Sequence, residues 1–171
     1  AITDHGVMYG VIDFYKAAKA AGIKPIIGCE LYVAPRTRFD KVYELDYEPW
    51  HLVLLCKNAT GYQNLIKLCS AGFTEGFYIK PRIDLELLRA HSEGLIGLSA
   101  CLAGEIPKRL TNGNFEGARE YALMMQEIFG AGDFYLEQNR DIYETIYEMF
   151  SFSQTIDPVT VLNKMRERGV F

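Results

Sequence analysis

Apolar and polar positions follow two alternating periods along the 171 residues of the chain. Short apolar runs rich in aliphatic and β-branched residues predict buried strands. These runs cover residues 1–4, 24–33, 50–55, 95–99 and 133–137. Between them, apolar residues recur at the spacing of an amphipathic helix. The predicted helices cover residues 9–21, 60–70, 84–91 and 114–129. This alternation predicts an α/β fold, a parallel sheet or barrel with right-handed crossovers.

Polar residues mark where three of these helices begin. Asn58, Asp84 and Asn114 each stand directly before a segment with helical period. Asn and Asp are favoured helix N-caps because their side chains accept hydrogen bonds from exposed amides. Residues 36–49 are polar and of mixed charge, which predicts a long surface loop, and residues 72–81 are predicted to form an irregular aromatic loop.

The pattern changes after Glu137, where no further strand is indicated. Residues 141–150 and 159–168 have the helical period instead. We therefore predict two parts, a partial α/β domain over residues 1–137 and a helical tail of unrecognised origin over residues 138–171.

The last tail helix is predicted to start at Asp157-Pro158, a favoured pair at a helix start. Its apolar stripe of Val159, Leu162 and Met165 needs a surface to cover, and we expect it to pack over an open edge of the sheet or barrel. The chain also begins within an apolar run and without an initiator Met, which suggests truncation at the amino end.

Composition excludes several classes of protein. With 49% hydrophobic and 23% charged residues, the chain has a normal globular composition and the size of one domain. A net charge of −4 and a pI of about 5.4 argue against autonomous binding to duplex DNA, which usually uses a basic face. The four cysteines form no CxxC pair, which fits a reducing compartment. Neither a membrane span nor a signal peptide is visible, so a cytoplasmic location without a membrane partner is expected.

Four potential metal ligands stand at or near the ends of predicted strands, where functional groups gather in α/β folds. They are His5, Glu30, His51 and Cys101. Imidazole, carboxylate and thiolate together suit zinc, whereas manganese or iron would be favoured if oxygen ligands dominated. Asp4, next to His5, is predicted to orient that imidazole from outside the ligand set.

Each of these residues also has a purely structural interpretation. A histidine after a strand, such as His5, is more often a hydrogen-bonded loop residue. His51 could lie at a strand edge, and Cys101 could be a small buried apolar residue. Glu30 is the strongest candidate, because a charge within an apolar strand is costly to bury without a partner. Spacing alone therefore leaves the structural interpretation favoured over a metal site.

Compact basic groups near the candidate ligands occur at Lys80-Pro-Arg82 and Lys108-Arg109. Lys80 and Arg82 could hold a phosphate, with Arg82 the better bidentate donor. Solvated charges at loop and helix ends are the favoured alternative.

Five sequence blocks, in order, resemble the polymerase-and-histidinol-phosphatase (PHP) domain at the front of bacterial DNA polymerase III α subunits. The blocks cover residues 2–10, 28–33, 51–65, 76–84 and 91–105. Among them are Ile-Thr-Asp-His-Gly, Gly-Cys-Glu-Leu-Tyr-Val and Leu-Ser-Ala-Cys-Leu-Ala-Gly-Glu. The resemblance extends over about residues 1–137.

This resemblance implies a distorted (β/α)7 barrel, incomplete in this chain and followed by a helical C-terminal tail, whose strand ends hold a metal cluster. His5, Glu30, His51 and Cys101 fall on positions that are ligands in family members that keep the site. The family pattern also contains an HxH block upstream and a DxH block downstream, and neither occurs here. We therefore expect weak binding of zinc or manganese, because affinity depends on ligand number and geometry.

The function implied by the resemblance is that of a piece of the replicative DNA-directed DNA polymerase, without its palm domain and without autonomous catalysis. A scaffold role that includes docking of the proofreading exonuclease subunit is favoured, with DNA bound only through the full polymerase. The alternative is a stand-alone metal-dependent phosphoesterase similar to histidinol phosphatase. The blocks over residues 58–65 and 78–84 look polymerase-like, so this alternative ranks lower.

Overall fold

The structure, a computed structural model, describes residues 1–130, 132–135, 145, 148–149 and 158–169. The chain divides into two compact units, residues 1–135 and residues 136–171. Within the described residues, every helix is too short or too polar to cross a membrane. The two units are described separately below.

A six-stranded sheet forms the centre of the first unit. Its strands are β1 (Ile2–His5), β2 (Ile27–Val33), β3 (Trp50–Cys56), β4 (Arg82–Ile83), β5 (Leu95–Leu98) and β6 (Phe134–Tyr135). The order across the sheet is β1-β2-β3-β5-β6, and β4 pairs with β2 beyond the end of β1. Strand β2 is thus paired along both of its edges.

Six helices connect these strands within the described part of the first unit. They are α1 (Val11–Ala20), α2 (Tyr43–Asp46), α3 (Ala59–Thr74), α4 (Leu85–Ala90), α5 (Glu105–Thr111) and α6 (Phe115–Phe129). The three predicted N-caps are confirmed. The side chains of Asn58, Asp84 and Asn114 accept hydrogen bonds from backbone amides three residues further on, at 3.0, 2.9 and 3.0 Å.

The prediction of a parallel sheet is wrong for β3, which runs antiparallel to both β2 and β5. The connection between β2 and β3 contains only the single helical turn of α2, so no helix carries the chain back to the start of a parallel neighbour. The described strands form an open sheet, and the predicted seven-stranded barrel is not confirmed.

The two faces of the sheet have different surroundings, because successive side chains of a strand point to opposite faces. On one face, Cys29, Leu31 and Leu54 are buried, and helix α3 packs there with Leu65 and Leu68. The opposite face carries Glu30, which is the next residue after Cys29. Alternate side chains of β2 therefore contribute to the core under α3 and to the opposite, polar face of the sheet.

The predicted surface loop between β2 and β3 is held by a buried carboxylate. Asp46 is fully buried and accepts hydrogen bonds from Arg36 Nε at 2.9 Å, Arg36 Nη2 at 2.5 Å and the Val42 amide at 2.8 Å. The hydrogen bonds from Arg36 hold the pKa of Asp46 below its usual value, against the opposing effect of burial. The polar composition predicted that this loop is exposed. It did not predict the ion pair of Arg36 with the buried Asp46, which fixes the path of the loop.

Arg82 fits neither of the interpretations given above, phosphate binding or a solvated charge, because it is fully buried. Its guanidinium donates to the backbone carbonyls of Gly76 (3.1 Å), Asp46 (3.1 Å), Asp40 (2.8 Å) and Arg38 (3.3 Å). These bonds use its donors within the protein and join the loop before β3 to the segment before β4. Arg82 is therefore a structural residue.

In the second unit, helix α7 (Pro158–Glu167) confirms the predicted last helix. Val161 and Met165 are buried, and Arg168 donates to the Thr145 hydroxyl at 2.7 Å. The carboxylate of Glu148 lies 3.6 Å from the side-chain nitrogens of both Lys164 and Arg168.

Parts of two tail predictions lie outside the described residues. Of the predicted helix over 141–150, residues 145, 148 and 149 are described and are helical. The side chains of Val159 and Leu162 are not among those described. The expected packing of the tail over an open edge of the sheet stays a prediction.

The role of Arg82 yields a test of the fold. Replacing Arg82 with Met keeps much of the apolar volume but leaves buried carbonyls without their donor, and we expect a loss of about 3 kcal/mol in the free energy of unfolding. Urea unfolding of the full chain measures this loss. The matched control is Arg89→Met, on the exposed surface of α4, which should change stability by less than about 0.5 kcal/mol. Equal effects of the two substitutions would contradict the structural role.

Candidate metal centre

The strand register brings three of the four predicted ligands to one edge of the sheet. In the parallel pair β1–β2, His5 at the end of β1 lies opposite Glu30. In the antiparallel pair β2–β3, His51 lies opposite Tyr32, two residues beyond Glu30 and on the same face. Because β3 is antiparallel, its beginning meets the end of β2. Strand β3 was predicted to be parallel, and its observed antiparallel direction is what places His51 near Glu30.

Glu30 is the centre of the group. Its side chain is only 8% exposed, and its two carboxylate oxygens contact different imidazoles. Oε2 lies against Nδ1 of His5, and Oε1 accepts from Nδ1 of His51 at 3.0 Å. The side chain of His5 is 78% exposed, so this imidazole covers the carboxylate from the solvent side. The two histidines thus supply the partners that a buried carboxylate requires.

Cys101 completes the group from the turn after β5. Its sulfur lies 3.6 Å from Nδ1 of His51, and ligand atoms of Glu30, His51 and Cys101 all lie within 4.8 Å of one another. The four side chains thus form a continuous series of contacts, from His5 through Glu30 and His51 to Cys101. We call His5, Glu30, His51 and Cys101 the ligand cluster.

Backbone geometry fixes the turn that carries Cys101. Ala100 has a φ of 59°, a left-handed conformation that residues with a side chain seldom adopt. The Gly104 amide donates to the Cys101 carbonyl at 2.8 Å, and the His51 amide donates to the Ala103 carbonyl at 3.1 Å. A Cβ at Gly104 would lie 2.3 Å from the Ser99 carbonyl oxygen, so the tight turn requires glycine there.

The donor set of the cluster fits a divalent metal ion. Ligand atoms bound tetrahedrally at about 2.0–2.3 Å lie roughly 3.3–3.8 Å apart. In the cluster, the contacts of His51 with Glu30 and Cys101 measure 3.0 and 3.6 Å, and the three ligand atoms lie within 4.8 Å of one another. One carboxylate, one imidazole and one thiol form the compact part of the cluster, and all three groups are ligands that divalent metal ions accept in proteins.

Asp4 occupies a different place from the predicted one. It precedes His5 in β1 and points to the opposite face of the sheet. There its Oδ2 accepts from the Gly10 amide at 3.1 Å, immediately before helix α1. Asp4 therefore fixes the start of α1, and Glu30 is the carboxylate that contacts His5.

A cleft of about 540 Å³ opens beside the cluster, and His51 and Lys80 are both part of its lining. Lys80 Nζ lies 4.3 Å from the ring centroid of Tyr32, and that ring meets the His51 ring edge-on at 5.1 Å between centroids. Lys108 also lines the cleft and pairs with Glu48 at 2.6 Å. Of the two residues predicted to hold phosphate, only Lys80 lies at the cluster.

Tyr32 was missed by the sequence analysis, although its position two residues after Glu30 places it on the same face of β2. Burial, with a smaller effect of Glu30, raises the pKa of Tyr32. The phenol therefore stays protonated and uncharged at neutral pH, and its ring contacts both Lys80 and His51. The signal that could have found it is the period of two along the strand.

Comparison with known proteins identifies the family to which the chain belongs. The PHP domain family matches residues 1–141, most of the chain. The chain therefore belongs to the PHP domain family, and the resemblance seen in the five sequence blocks is confirmed. A second family, described as the DnaB-like helicase N terminal domain, matches residues 119–171.

Several curated relatives share the first part of the chain, and each carries the name DNA polymerase III subunit alpha. The relative from Treponema pallidum is 49% identical over 138 residues, which is 80% of this chain and 12% of the relative. That from Borreliella burgdorferi is 50% identical over 141 residues (82% and 12%), and that from Thermus aquaticus is 48% identical over 146 residues (84% and 12%). The chain thus spans about 12% of the length of these relatives.

The cluster predicts how metal affinity depends on Glu30. Glu30→Gln keeps the size of the side chain but removes its charge, so we expect the affinity of the full chain for zinc to fall at least about tenfold. Competition with a chromophoric chelator measures this affinity. Cobalt provides a second measurement, since a cobalt–thiolate absorption band should form and be lost in Cys101→Ser.

The control is His91→Gln, which changes the one histidine of the chain outside the cluster. Its zinc affinity should equal that of the unchanged protein. The metal centre would be disproved if Glu30→Gln bound zinc as tightly as the unchanged protein, or if His91→Gln weakened binding to the same extent as Glu30→Gln.

Proposed function

We propose that residues 1–135 act as the PHP domain of a replicative DNA polymerase III α subunit and hold one divalent metal ion, with zinc favoured, at the ligand cluster. The observation that carries this proposal is the meeting of His5, Glu30, His51 and Cys101 at one edge of the sheet. The names of the relatives support the assignment to DNA replication. These names favour the polymerase assignment over a stand-alone phosphoesterase similar to histidinol phosphatase, because none of the relatives named above carries such a name.

The cluster supports weak metal binding more than catalysis. The chain has three histidines, and no two of them are separated by one residue, so it contains no HxH pair. His5 is largely exposed, and Glu30 shares its charge between two imidazoles. A bound ion would supply Lewis acidity and an activated water for attack on a phosphoester. We propose that the domain serves chiefly as a scaffold.

Lys80 is the residue that we propose to contact a phosphate group. Its ammonium lies on the Tyr32 ring at the edge of the cleft that also contains His51. An anion in this cleft would meet Lys80 and the cluster together, and Lys108 would be available only after leaving Glu48. The net charge of −4 makes independent DNA binding weak, so DNA would be reached through the rest of the polymerase.

As a scaffold, the domain would dock the proofreading exonuclease subunit of the same replicase. This interaction would depend on the folded surface of residues 1–135 and not on the ion, because the hydrogen bonds between Glu30 and the two imidazoles satisfy the buried carboxylate without one. The proposal thus separates two properties, metal binding at the cluster and binding of the partner subunit.

A pull-down combined with a nuclease assay tests the scaffold role. The full chain should retain the exonuclease subunit equally in manganese and in a chelating buffer, and it should not degrade DNA from a 3′ end by itself. The control is Glu30→Gln, which keeps polar atoms for contact with both imidazoles and should bind the subunit as the unchanged chain does. Manganese-dependent hydrolysis that is lost in Glu30→Gln would instead establish a phosphoesterase.

For residues 136–171, we propose a separate helical unit similar to the N-terminal domain of a DnaB-like helicase. The family match over residues 119–171 and the division of the chain after Tyr135 support this proposal. The match begins within α6, which belongs to the first unit, so we place the boundary near residue 135 and not at 119. The chain would then join a polymerase-type and a helicase-type domain, two classes that act at a replication fork.

The second proposal predicts that damage to one unit spares the other. Met165→Asp buries a carboxylate in α7 and should unfold that helix, since an unpaired buried charge is strongly destabilising. Amide spectra of the full chain should lose the signals of residues 158–167, and zinc affinity should stay within about twofold. The control, Asn163→Asp, places the same charge at an exposed position of α7 and should preserve the spectrum. Loss of signals from residues 1–135 would contradict the proposal.

A further inference from the structure

Two buried thiols face each other on the side of the sheet opposite the ligand cluster. Cys29 lies in β2 and is fully buried, and Cys69 lies in α3 and is 9% exposed. Their sulfur atoms are 3.7 Å apart, and both cysteines are free. Neither thiol has a part in metal binding or in the proposed scaffold role.

Packing fixes the two sulfur atoms in place. Cys29 is held in a strand that is paired on both edges, and its thiol lies 3.2 Å from the Val7 carbonyl and 3.4 Å from the Asp4 carbonyl. Cys69 lies one turn after Leu65 on α3, and both residues face the sheet. An S–S bond of about 2.05 Å requires the sulfurs to approach by about 1.7 Å, a movement that side-chain rotation and a small shift of α3 can provide.

A surface pocket leads to one of the thiols. The pocket has a volume of about 250 Å³, and its walls include Met8, Tyr9, Phe73 and Cys69. Cys29 is not part of this lining. A small reagent that enters the pocket therefore meets Cys69 first, and Cys29 lies directly behind it.

The other two cysteines have different surroundings. Burial raises the pKa of Cys56 to about 11, which keeps that thiol protonated and unreactive. Cys101 is exposed and belongs to the ligand cluster. By contrast, the hydrogen bond shared with Cys29 lowers the pKa of Cys69, against the effect of burial. Cys69 thus combines access through the pocket with a neighbouring thiol.

We propose that Cys29 and Cys69 form a dithiol that small hydroperoxides oxidise to a disulfide joining helix α3 to strand β2. In the first step, the Cys69 thiolate attacks one oxygen of hydrogen peroxide, the O–O bond breaks, and a sulfenic acid and hydroxide are formed. In the second step, the Cys29 sulfur attacks the Cys69 sulfur and expels the sulfenic oxygen as water, which carries away the thiol proton. In total, two thiols and one peroxide give one disulfide and two waters.

The proposed disulfide would lie next to the ligand cluster, so it would link the oxidation of these two thiols to the strand that carries the cluster. Glu30 follows Cys29 in β2, so the disulfide would tie the strand that carries the central carboxylate to its supporting helix. It would close a loop across residues 29–69, which includes His51 and all of β3. Such a cross-link constrains the unfolded chain and therefore favours the folded form.

The test uses the full chain with Cys56→Ser and Cys101→Ser, which leaves Cys29 and Cys69 as its only thiols. After treatment with hydrogen peroxide, denaturation and alkylation, mass spectrometry counts the free thiols. We expect both thiols to be alkylated before peroxide and neither afterwards. The mass should fall by two hydrogen atoms, a peptide linking residues 29 and 69 should appear, and dithiothreitol should restore both thiols.

The matched control adds Cys69→Ser to this background, and its buried Cys29 thiol should remain alkylatable after peroxide. Peptide mapping of the unsubstituted chain gives a second measurement that does not depend on the folding of the variants, and it should find the same linked peptide. Two free thiols after peroxide, a sulfinic acid at Cys69 beside a free Cys29, or links through Cys56 or Cys101 would each overturn the proposal.

Discussion

The carboxylate of Glu30 is the constraint on which the arrangement of the first unit depends. An ionised carboxylate in an apolar strand costs several kcal/mol unless it is paired or hydrogen-bonded. Here the two oxygens are satisfied by His5 from β1 and His51 from β3, so both neighbours of β2 must be in register. A shift of either strand by one residue would turn its histidine to the other face. The hydrogen-bonded carboxylate of Glu30 therefore specifies how β1, β2 and β3 pair.

The same strand connects this polar edge to the apolar core. Cys29 and Leu31 of β2 are buried under α3, whereas Glu30 lies on the opposite face as the centre of the ligand cluster. The packing of α3 on β2 therefore helps to fix the position of Glu30. The loop before β3 is fixed in a similar way, with Asp46 held by Arg36 and the nearby carbonyls held by Arg82. Buried and partnered charges, together with apolar packing, hold the edge on which the candidate site lies.

Sequence patterns predicted features that depend on neighbouring residues or on a regular period. They failed for features that depend on residues far away in the chain. The caps Asn58, Asp84 and Asn114 were predictable because a cap bonds within its own helix turn. The direction of β3 was not, since a run of apolar residues reads the same in a parallel or an antiparallel strand. Arg82 resembled a surface cation because its acceptors lie up to 44 residues away in the chain. Spacing suggested the four ligands only weakly, and the family resemblance singled them out.

The contacts within the cluster bear on the proposed scaffold role, which does not require a metal ion. Nδ1 of His51 contacts both Glu30 and Cys101, so an ion held by these three side chains would replace their direct contacts. The cluster can thus exist with direct contacts or with an ion between its ligands. In both cases the carboxylate of Glu30 has a partner, so the pairing of β1, β2 and β3 is kept. A surface that depends on these strands would keep its shape whichever occupant is present.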